Sequence, residues 1–223
     1  MRKIFLFILC LSLSVSQKSI SYGTTSNGRL ENGVKLPSSG QNYSSYSSIG
    51  SILGRTYVNG IVQDITVMAY DSLYQLYPEK RFMYGETGLK NGGRFKPHKT
   101  HQNGLSVDFM VPVLTEKGKS IPLPTNIINK FGYSIEFDKN GKYDKYQIDF
   151  ETIGAHIFYL YNVSTSKGYG ISKVIFDPDL QPLLFSTRYG DFLKKNITFS
   201  KTAAWVRHDE HYHIDFNVPT KPL

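Results

Sequence analysis

Five of the six histidines in this 223-residue chain fall in two short segments that lie far apart in the sequence. The first segment, PHKTHQNGLSVD, ends in an aspartate, and the second, HDEHYHID, lies close to the C-terminus. The residues concerned are His98, His101 and Asp108 in the first segment and His208, His211 and His213 in the second. One shared site is the simplest explanation for such crowding at two distant places.

Imidazole and carboxylate groups grouped in this way are typical of a catalytic zinc site. Such a site uses three protein ligands and keeps a fourth position for water. His101, Asp108 and one of the C-terminal histidines would supply the three ligands. Because zinc lowers the pKa of its water to ~7 and polarises a carbonyl group, it supports hydrolysis at neutral pH. A pH-sensing histidine patch and a metal-storage surface are the alternatives.

Other hydrolytic chemistries find little support in the residues. Cys10 is the only cysteine and lies in a predicted leader, so the mature protein would have no thiol nucleophile. The G-x-S-x-G stretch that marks many serine hydrolases is missing from the sequence. His156, the sixth histidine, lies in a predicted helix with no partner motif, and we interpret it as structural.

Alternation of apolar and polar residues predicts that each histidine segment contains a β-strand. From Leu105 onward the pattern indicates a half-buried strand with Asp108 on its polar side. In the last segment His211, His213 and Asp215 share the polar side of a strand. Because side chains two residues apart are about 6 to 7 Å from each other along a strand, the two imidazoles can converge on one small site.

The remaining patterns predict an α+β fold. Helices are expected over residues 59–76 and 150–163, the second capped by Asp149, with one or two short helices over 180–196. A buried strand is expected at 171–178, and a hairpin in which YSIEF and YQIDF flank the turn DKNGKYDKY. Residues 17–50 predict loops with a short strand or two. We therefore expect a single domain over residues 17–223, with a central antiparallel sheet that carries the zinc site and is flanked by helices.

Residues 1–16 have the layout of a secretory signal peptide, with a basic start, an apolar stretch and small residues. The apolar stretch is shorter than the ~20 residues that a membrane-spanning helix needs, so no stable membrane anchor is expected. Lipid modification of Cys10 is an alternative that the large Leu9 disfavours. The net charge is +8, and removal of Arg2 and Lys3 leaves +6, which favours anionic polymers such as cell-wall material. No nucleic-acid partner is expected, because the chain lacks a dense Lys/Arg cluster.

The two histidine segments carry a resemblance to known enzymes. The spacings H-x6-D and H-x-H resemble those of the zinc-peptidase group that unites lysostaphin-type enzymes, D-Ala-D-Ala peptidases and the sonic hedgehog domain. PHKTHQNGLSVDF and RHDEHYHID are similar in particular to the signatures of the penicillin-insensitive murein endopeptidase family. NGRLENGVKLPSSGQNY, the glycine loop at 85–93 and ISKVIFDPDLQPLL extend the likeness over most of the mature chain.

This resemblance implies roles for individual residues. It implies one zinc ion per chain, and three histidines that orient water, move the proton and stabilise the oxyanion. The implied zinc ligands are His101, Asp108 and His213, and the implied catalytic residues are His98, His208 and His211. We expect His211 to be closest to a general base, because it shares the polar face with His213, and His208 to be the next candidate. Gln102 is expected to orient a ligand or the substrate.

The implied function is a periplasmic hydrolase of peptidoglycan that cuts the cross-link between D-alanine and diaminopimelate. Departures from the family pattern include Ser106 in place of aspartate and Glu210 in place of aspartate, and they bear on substrate preference more than on the metal. Two alternatives remain open. One is a related enzyme of different specificity, such as a D,D-carboxypeptidase or an L,D-endopeptidase, and the other is a non-catalytic zinc-containing module that binds the wall.

Overall fold

A five-stranded sheet brings the two histidine segments together in the computed structural model, which describes residues 17–202 and 206–223. The strands are β1 (Ile20–Gly23), β2 (Gly28–Glu31), β3 (Val34–Lys35), β4 (Tyr43–Ser45), β5 (Tyr57–Val58), β6 (Phe82–Tyr84), β7 (Ser106–Met110), β8 (Val113–Leu114), β9 (Ser120–Ile121), β10 (Lys142–Tyr143), β11 (Tyr146–Ile148), β12 (Ile171–Ile175) and β13 (His211–Phe216). The helices are α1 (Ser48–Ile52), α2 (Gly60–Leu76), α3 (Phe150–Ser166), α4 (Gln181–Phe185) and α5 (Gly190–Asn196), with a 3-10 turn at Lys130–Gly132.

The strand order in the central sheet is β12-β13-β7-β6-β4. Three of its four pairings are antiparallel, and only the edge pair of β4 and β6 is parallel. Smaller sheets surround it, in the orders β10-β11-β8-β9, β1-β2 and β3-β5. The predicted α+β class with a mainly antiparallel central sheet is therefore confirmed.

The register of β13 on β7 decides where the site forms. His213 lies opposite Asp108, and Asp215 lies opposite Ser106. Directly opposed residues in an antiparallel pair have Cβ atoms about 4.5 to 5.5 Å apart. The two distant segments of the sequence therefore meet as cross-strand neighbours.

Helices α2 and α3 pack against each other and belong to the same buried core as the sheet. Helix α2 begins where the Asn59 side chain accepts a hydrogen bond from the Ile61 amide, and α3 begins where Asp149 accepts one from Thr152. Both helices were predicted from residue spacing, although α3 continues to Ser166. Among the described residues no helix has the length and apolarity to cross a membrane.

Three sequence predictions need correction. Strands β7 and β13 are buried on both faces, not half-buried, because loop residues around His101 and Tyr133 cover their polar sides. The hairpin forms between β10 and β11, so YSIEF is not one of its strands. Strand β12 is only partly buried, since it lies at the edge of the sheet.

Two other predictions concern the N-terminal part of the chain. Residues 17–50, expected to be mostly loops, contain β1 to β4 and most of α1. The predicted signal peptide at 1–16 lies outside the described residues.

Candidate metal centre

His101 lies in the loop between β6 and β7, where its ring approaches Asp108 on β7. His101 is fully buried and has a left-handed backbone with φ of 66°. Its Nδ1 lies 3.1 Å from the carbonyl oxygen of Thr87. Because a carbonyl oxygen only accepts, Nδ1 carries the proton and Nε2 presents its lone pair. A glycine is needed at position 88, where φ is 147° and a Cβ would lie 2.8 Å from the His101 carbonyl oxygen.

Asp108 is the fully buried carboxylate on which the site converges. Its Oδ1 lies 3.2 Å from His101 Nε2 and 2.8 Å from His213 Nδ1. Its Oδ2 accepts a hydrogen bond of 3.2 Å from the Tyr133 hydroxyl. Burial by itself would raise the pKa of Asp108, but the histidines around it, His101 and His211 foremost, hold that pKa well below its ordinary value. The carboxylate is therefore kept ionised.

The His101 Nε2 atom is one of seven buried side-chain atoms that lack a hydrogen-bond partner among the described residues. It is buried and makes no hydrogen bond within the described part of the chain, although it faces Asp108. Burial lowers the pKa of His101, so the ring is neutral and its lone pair is available. An unpaired buried lone pair is costly in an apolar interior, and a metal ion would satisfy it. The residues present therefore fit a divalent metal.

His98 lies at the mouth of this cluster and is held by a network of polar side chains. Its Nε2 is 2.5 Å from Glu86 Oε2, and its Nδ1 is 3.9 Å from Asp108 Oδ2. The Arg55 guanidinium donates hydrogen bonds to both oxygens of Glu86, and the Tyr46 hydroxyl donates to one of them at 2.9 Å. Burial opposes ionisation of Glu86, but its hydrogen bonds with Arg55 and His98 lower its pKa to about 2. This ionised carboxylate raises the pKa of His98, against the opposing effect of burial.

His211 and His208 lie side by side on the other flank, with ring centroids 4.5 Å apart. His208 Nδ1 lies 2.8 Å from the Val206 carbonyl oxygen and must donate to it, which leaves Nε2 with a lone pair. His211 Nδ1 lies 2.8 Å from Glu210 Oε1, and its Nε2 is 3.8 Å from Asp108 Oδ2. Burial lowers the pKa of His211 to about 4 and that of His208 to about 3, so both rings are neutral near pH 7.

His213 is held from both sides by carboxylates. Its Nδ1 faces Asp108, and its Nε2 lies 2.9 Å from Asp215 Oδ1. Burial would lower the pKa of His213, but Asp215 and Asp108 raise it to about 10. A metal ion at Nδ1 would have to replace a proton there.

Five of the six residues expected from the sequence, all histidines, thus surround the carboxylate of the sixth, Asp108. Ligand atoms of His98, His101 and Asp108 lie within 4.8 Å of one another, so this group could hold a metal ion. His213, His211 and His208 lie around the same centre. The side-chain amide of Gln102 donates to the Lys99 carbonyl oxygen at 3.3 Å, and its role stays a prediction.

Several residues of the site were missed by sequence reasoning. Asp215 follows His213 on the same face of β13, so the alternation of polar and apolar residues could have predicted the contact between the two side chains. Glu86 lies in the glycine-containing stretch 85–88, which is typical of an exposed loop, yet its carboxylate is buried. Tyr133 carries no signal, because it comes from a separate segment without periodicity.

An open cleft of about 480 Å³ leads to the centre. Its lining includes apolar side chains, among them Ile49, Leu53 and Phe131. Lys99 and Lys130 also line the cleft, and Glu86 is the only carboxylate among the described lining residues. Arg55 pairs with Glu86, and Lys130 adds a positive charge to the lining, which favours an anionic substrate.

Fold and site together define an α+β protein with a candidate metal centre at the floor of an open cleft. The chain belongs to the penicillin-insensitive murein endopeptidase family, whose model matches residues 21–222. The expected family is thereby confirmed, and membership supports a peptidase that cleaves peptidoglycan. The chain has no match among curated proteins.

Proposed function

We propose that this protein is an exported zinc endopeptidase that hydrolyses peptide cross-links of peptidoglycan. Its single zinc ion would be held by His101 Nε2, Asp108 Oδ1 and His213 Nδ1. The observation that carries the proposal is the convergence of two imidazole nitrogens on one buried carboxylate oxygen, at 3.2 and 2.8 Å. Ligand atoms of a tetrahedral zinc site with bonds of ~2.0 to 2.1 Å lie about 3.3 Å apart, which is close to both separations.

His98 is a rival for the third ligand position, because it belongs to the same group of possible metal ligands and its Nδ1 faces Asp108. That atom, however, is 3.9 Å from the Asp108 oxygen it faces. Its other nitrogen is occupied by Glu86 at 2.5 Å. His213 Nδ1 approaches the oxygen that also faces His101, so we assign His213 as the ligand and place His98 beside the metal.

The catalytic roles follow from the hydrogen bonds of each histidine. Bound zinc would supply a Lewis acid that acidifies water and polarises the amide carbonyl. His211 Nε2, which faces the centre, takes the proton from the attacking water when Glu210 accepts from Nδ1–H. His208 presents a second unprotonated nitrogen on the same flank. Whichever of the two rings has accepted this proton can return it to the leaving amine, and general acid–base catalysis of this kind contributes typically 10²- to 10⁴-fold to a rate.

His98 supports the reaction from the opposite side of the centre. Glu86 fixes the ring through Nε2 and turns Nδ1 toward Asp108. From this position an Nδ1–H group can donate to an oxygen that gains negative charge during attack. Arg55 and Tyr46 hold Glu86 in place, so the donor is positioned before substrate binds.

The substrate assignment rests on the family and on the charge of the cleft. Peptidoglycan stem peptides carry free carboxylates, and Lys130 lines the cleft. The bond between D-alanine and diaminopimelate is the one we propose is cut. Removal of residues 1–16 would release a single domain, residues 17–223, into the periplasm.

Digestion of purified cross-linked sacculi tests the proposal. Protein lacking residues 1–16 should convert cross-linked muropeptides to monomers, as read by mass spectrometry, and chelation followed by zinc should abolish and then restore this. A His211→Ala variant should lose at least 10²-fold in kcat, while Lys117→Ala, in the remote turn between β8 and β9, should match the wild type. Release of single D-alanine residues without loss of cross-links would point instead to a carboxypeptidase. No release of any product would overturn the catalytic proposal.

A further inference from the structure

The second nitrogen of His213 has a partner that the proposed reaction does not use. His213 Nε2 lies 2.9 Å from Asp215 Oδ1, two residues further along the same face of β13. A histidine binds a metal through one nitrogen, and the group that accepts from the other nitrogen decides which one faces the metal. Asp215 is therefore placed to control the orientation of the His213 ring.

Asp215 is itself held in one position by the neighbouring strands. Ser106 on β7 donates its hydroxyl proton to the same Oδ1 at 2.6 Å. Lys173 on β12 lies 3.8 Å from Oδ2. Both residues lie opposite Asp215 in the sheet register. Asp215 is 4% exposed and Ser106 is fully buried, so neither group is free to turn toward solvent.

The chemistry of these groups permits one arrangement when Nδ1 is used for a metal. Asp215 Oδ1 can only accept hydrogen bonds when the carboxylate is ionised, so both Ser106 Oγ–H and His213 Nε2–H donate to it. The nitrogen that donates its proton cannot bind a metal. The His213 ring is thereby turned with Nδ1 toward Asp108 Oδ1 and His101 Nε2.

We propose that Asp215, fixed by Ser106, is a positioning residue that orients His213 and thereby sets the affinity of the centre for zinc. This inference rests on the proposed assignment of His213 as a zinc ligand. Loss of a hydrogen-bonding partner behind a metal-binding histidine typically weakens metal affinity 10- to 100-fold. An ordinary buried ion pair would affect stability and leave the affinity unchanged.

The chain offers a closely matched control in Asp149. This carboxylate is also buried, accepts from a hydroxyl, that of Thr152 at 2.7 Å, and pairs with a lysine, Lys80 at 2.9 Å. It caps α3 and contacts no histidine within the described hydrogen bonds and ion pairs. Its removal should weaken folding without changing the metal site.

The test measures the zinc dissociation constant by competition with a chromophoric chelator, together with thermal unfolding of the metal-free proteins. Asp215→Ala should bind zinc 10- to 100-fold more weakly than the wild type. Asp215→Asn should lose less, because its amide oxygen still accepts from Nε2–H. Asp149→Ala should bind zinc within twofold of the wild type despite a lower unfolding temperature. If Asp215→Ala does not fold, Asp215→Asn and Ser106→Ala carry the test, and each should weaken zinc binding.

The ligand assignment and the positioning role fail in different ways. If His213→Ala binds zinc as tightly as the wild type, the ligand assignment is wrong and the inference falls with it. If His213→Ala loses zinc but the Asp215 variants keep wild-type affinity, only the positioning role is overturned.

Discussion

The buried ring of His156 makes stability depend on pH in a way that can be calculated. His156 lies in α3, fully buried, and stacks on Tyr70 with ring centroids 4.8 Å apart. Its Nδ1 forms a short hydrogen bond with the Tyr212 hydroxyl. Burial lowers the pKa of His156 from 6.5 to about 3. The folded protein therefore keeps this ring neutral over a pH range in which the unfolded chain binds a proton.

The sign and size of the effect follow from proton linkage. Because the folded pKa lies below the unfolded value, His156 adds to stability above pH 6.5, and this contribution is lost as pH falls from 6.5 toward about 3. A pH of 5 lies 1.5 units below the unfolded pKa of 6.5. Since each unit corresponds to about 1.36 kcal/mol, the loss of stability at pH 5 is about 2 kcal/mol. A His156→Gln variant keeps a polar partner for Tyr212 but does not titrate.

Urea unfolding of both proteins at pH 8 and pH 5, in the presence of chelator, measures the difference. The free energy of unfolding should fall between these pH values by about 2 kcal/mol more in the wild type than in His156→Gln. All other titrating groups occur in both proteins and cancel. An equal pH dependence in the two proteins would refute the claim that His156 is buried as a neutral ring.

Three further predictions concern the site and its cleft. Tyr133→Phe removes the hydroxyl that donates to Asp108 at 3.2 Å, so zinc affinity, measured by chelator competition, should fall about tenfold, and unchanged affinity would count against this role. Lys130→Glu reverses a charge lining the cleft, so KM on sacculi should rise about fivefold at low salt and less at high salt, whereas Lys117→Glu should leave KM unaltered. Gly88→Ala combines a disfavoured φ of 147° with a 2.8 Å backbone contact, so urea unfolding should show a loss of about 2 kcal/mol, and a stable variant would refute the described loop.

Periodicity predicted the elements whose burial depends on a single face. Helix α2 begins beside Asn59 and ends at Leu76 as the spacing of apolar residues indicated, because that face packs on the core. The same reasoning predicted a half-buried β7, since it detects an apolar face but not what covers the polar one. On that polar side Asp108 accepts a hydrogen bond from Tyr133, and Ser106 donates one to Asp215. These hydrogen bonds to other segments allow both polar side chains to be buried.

Turn chemistry was the other source of error. The stretch DKNGKYDKY was interpreted as one turn between two flanking strands, but Asp138 accepts from the amides of Asn140 and Lys142 and closes a turn of its own. The chain reverses later, where Asp144 adopts a φ of 51° between β10 and β11. Local side-chain hydrogen bonds therefore moved the strand by several residues.

The histidine cluster could be foreseen, but the groups that orient it could not. Spacing within β13 put His211 and His213 on one face, and their meeting with Asp108 required only that the two strands pair. Tyr133 and Glu86 reach the centre from segments that carry no periodic pattern. Their positions depend on tertiary packing, which the sequence alone does not encode in any local signal.

The assignment of His101, Asp108 and His213 as the zinc ligands is tested most directly by anomalous diffraction from crystals of the zinc-loaded protein. Data collected on both sides of the zinc absorption edge locate the ion without reference to activity. We predict one peak per chain, within about 2.0 to 2.2 Å of His101 Nε2, an Asp108 oxygen and His213 Nδ1. A peak bonded to His98 in place of His213, or no peak at Asp108, would contradict this assignment.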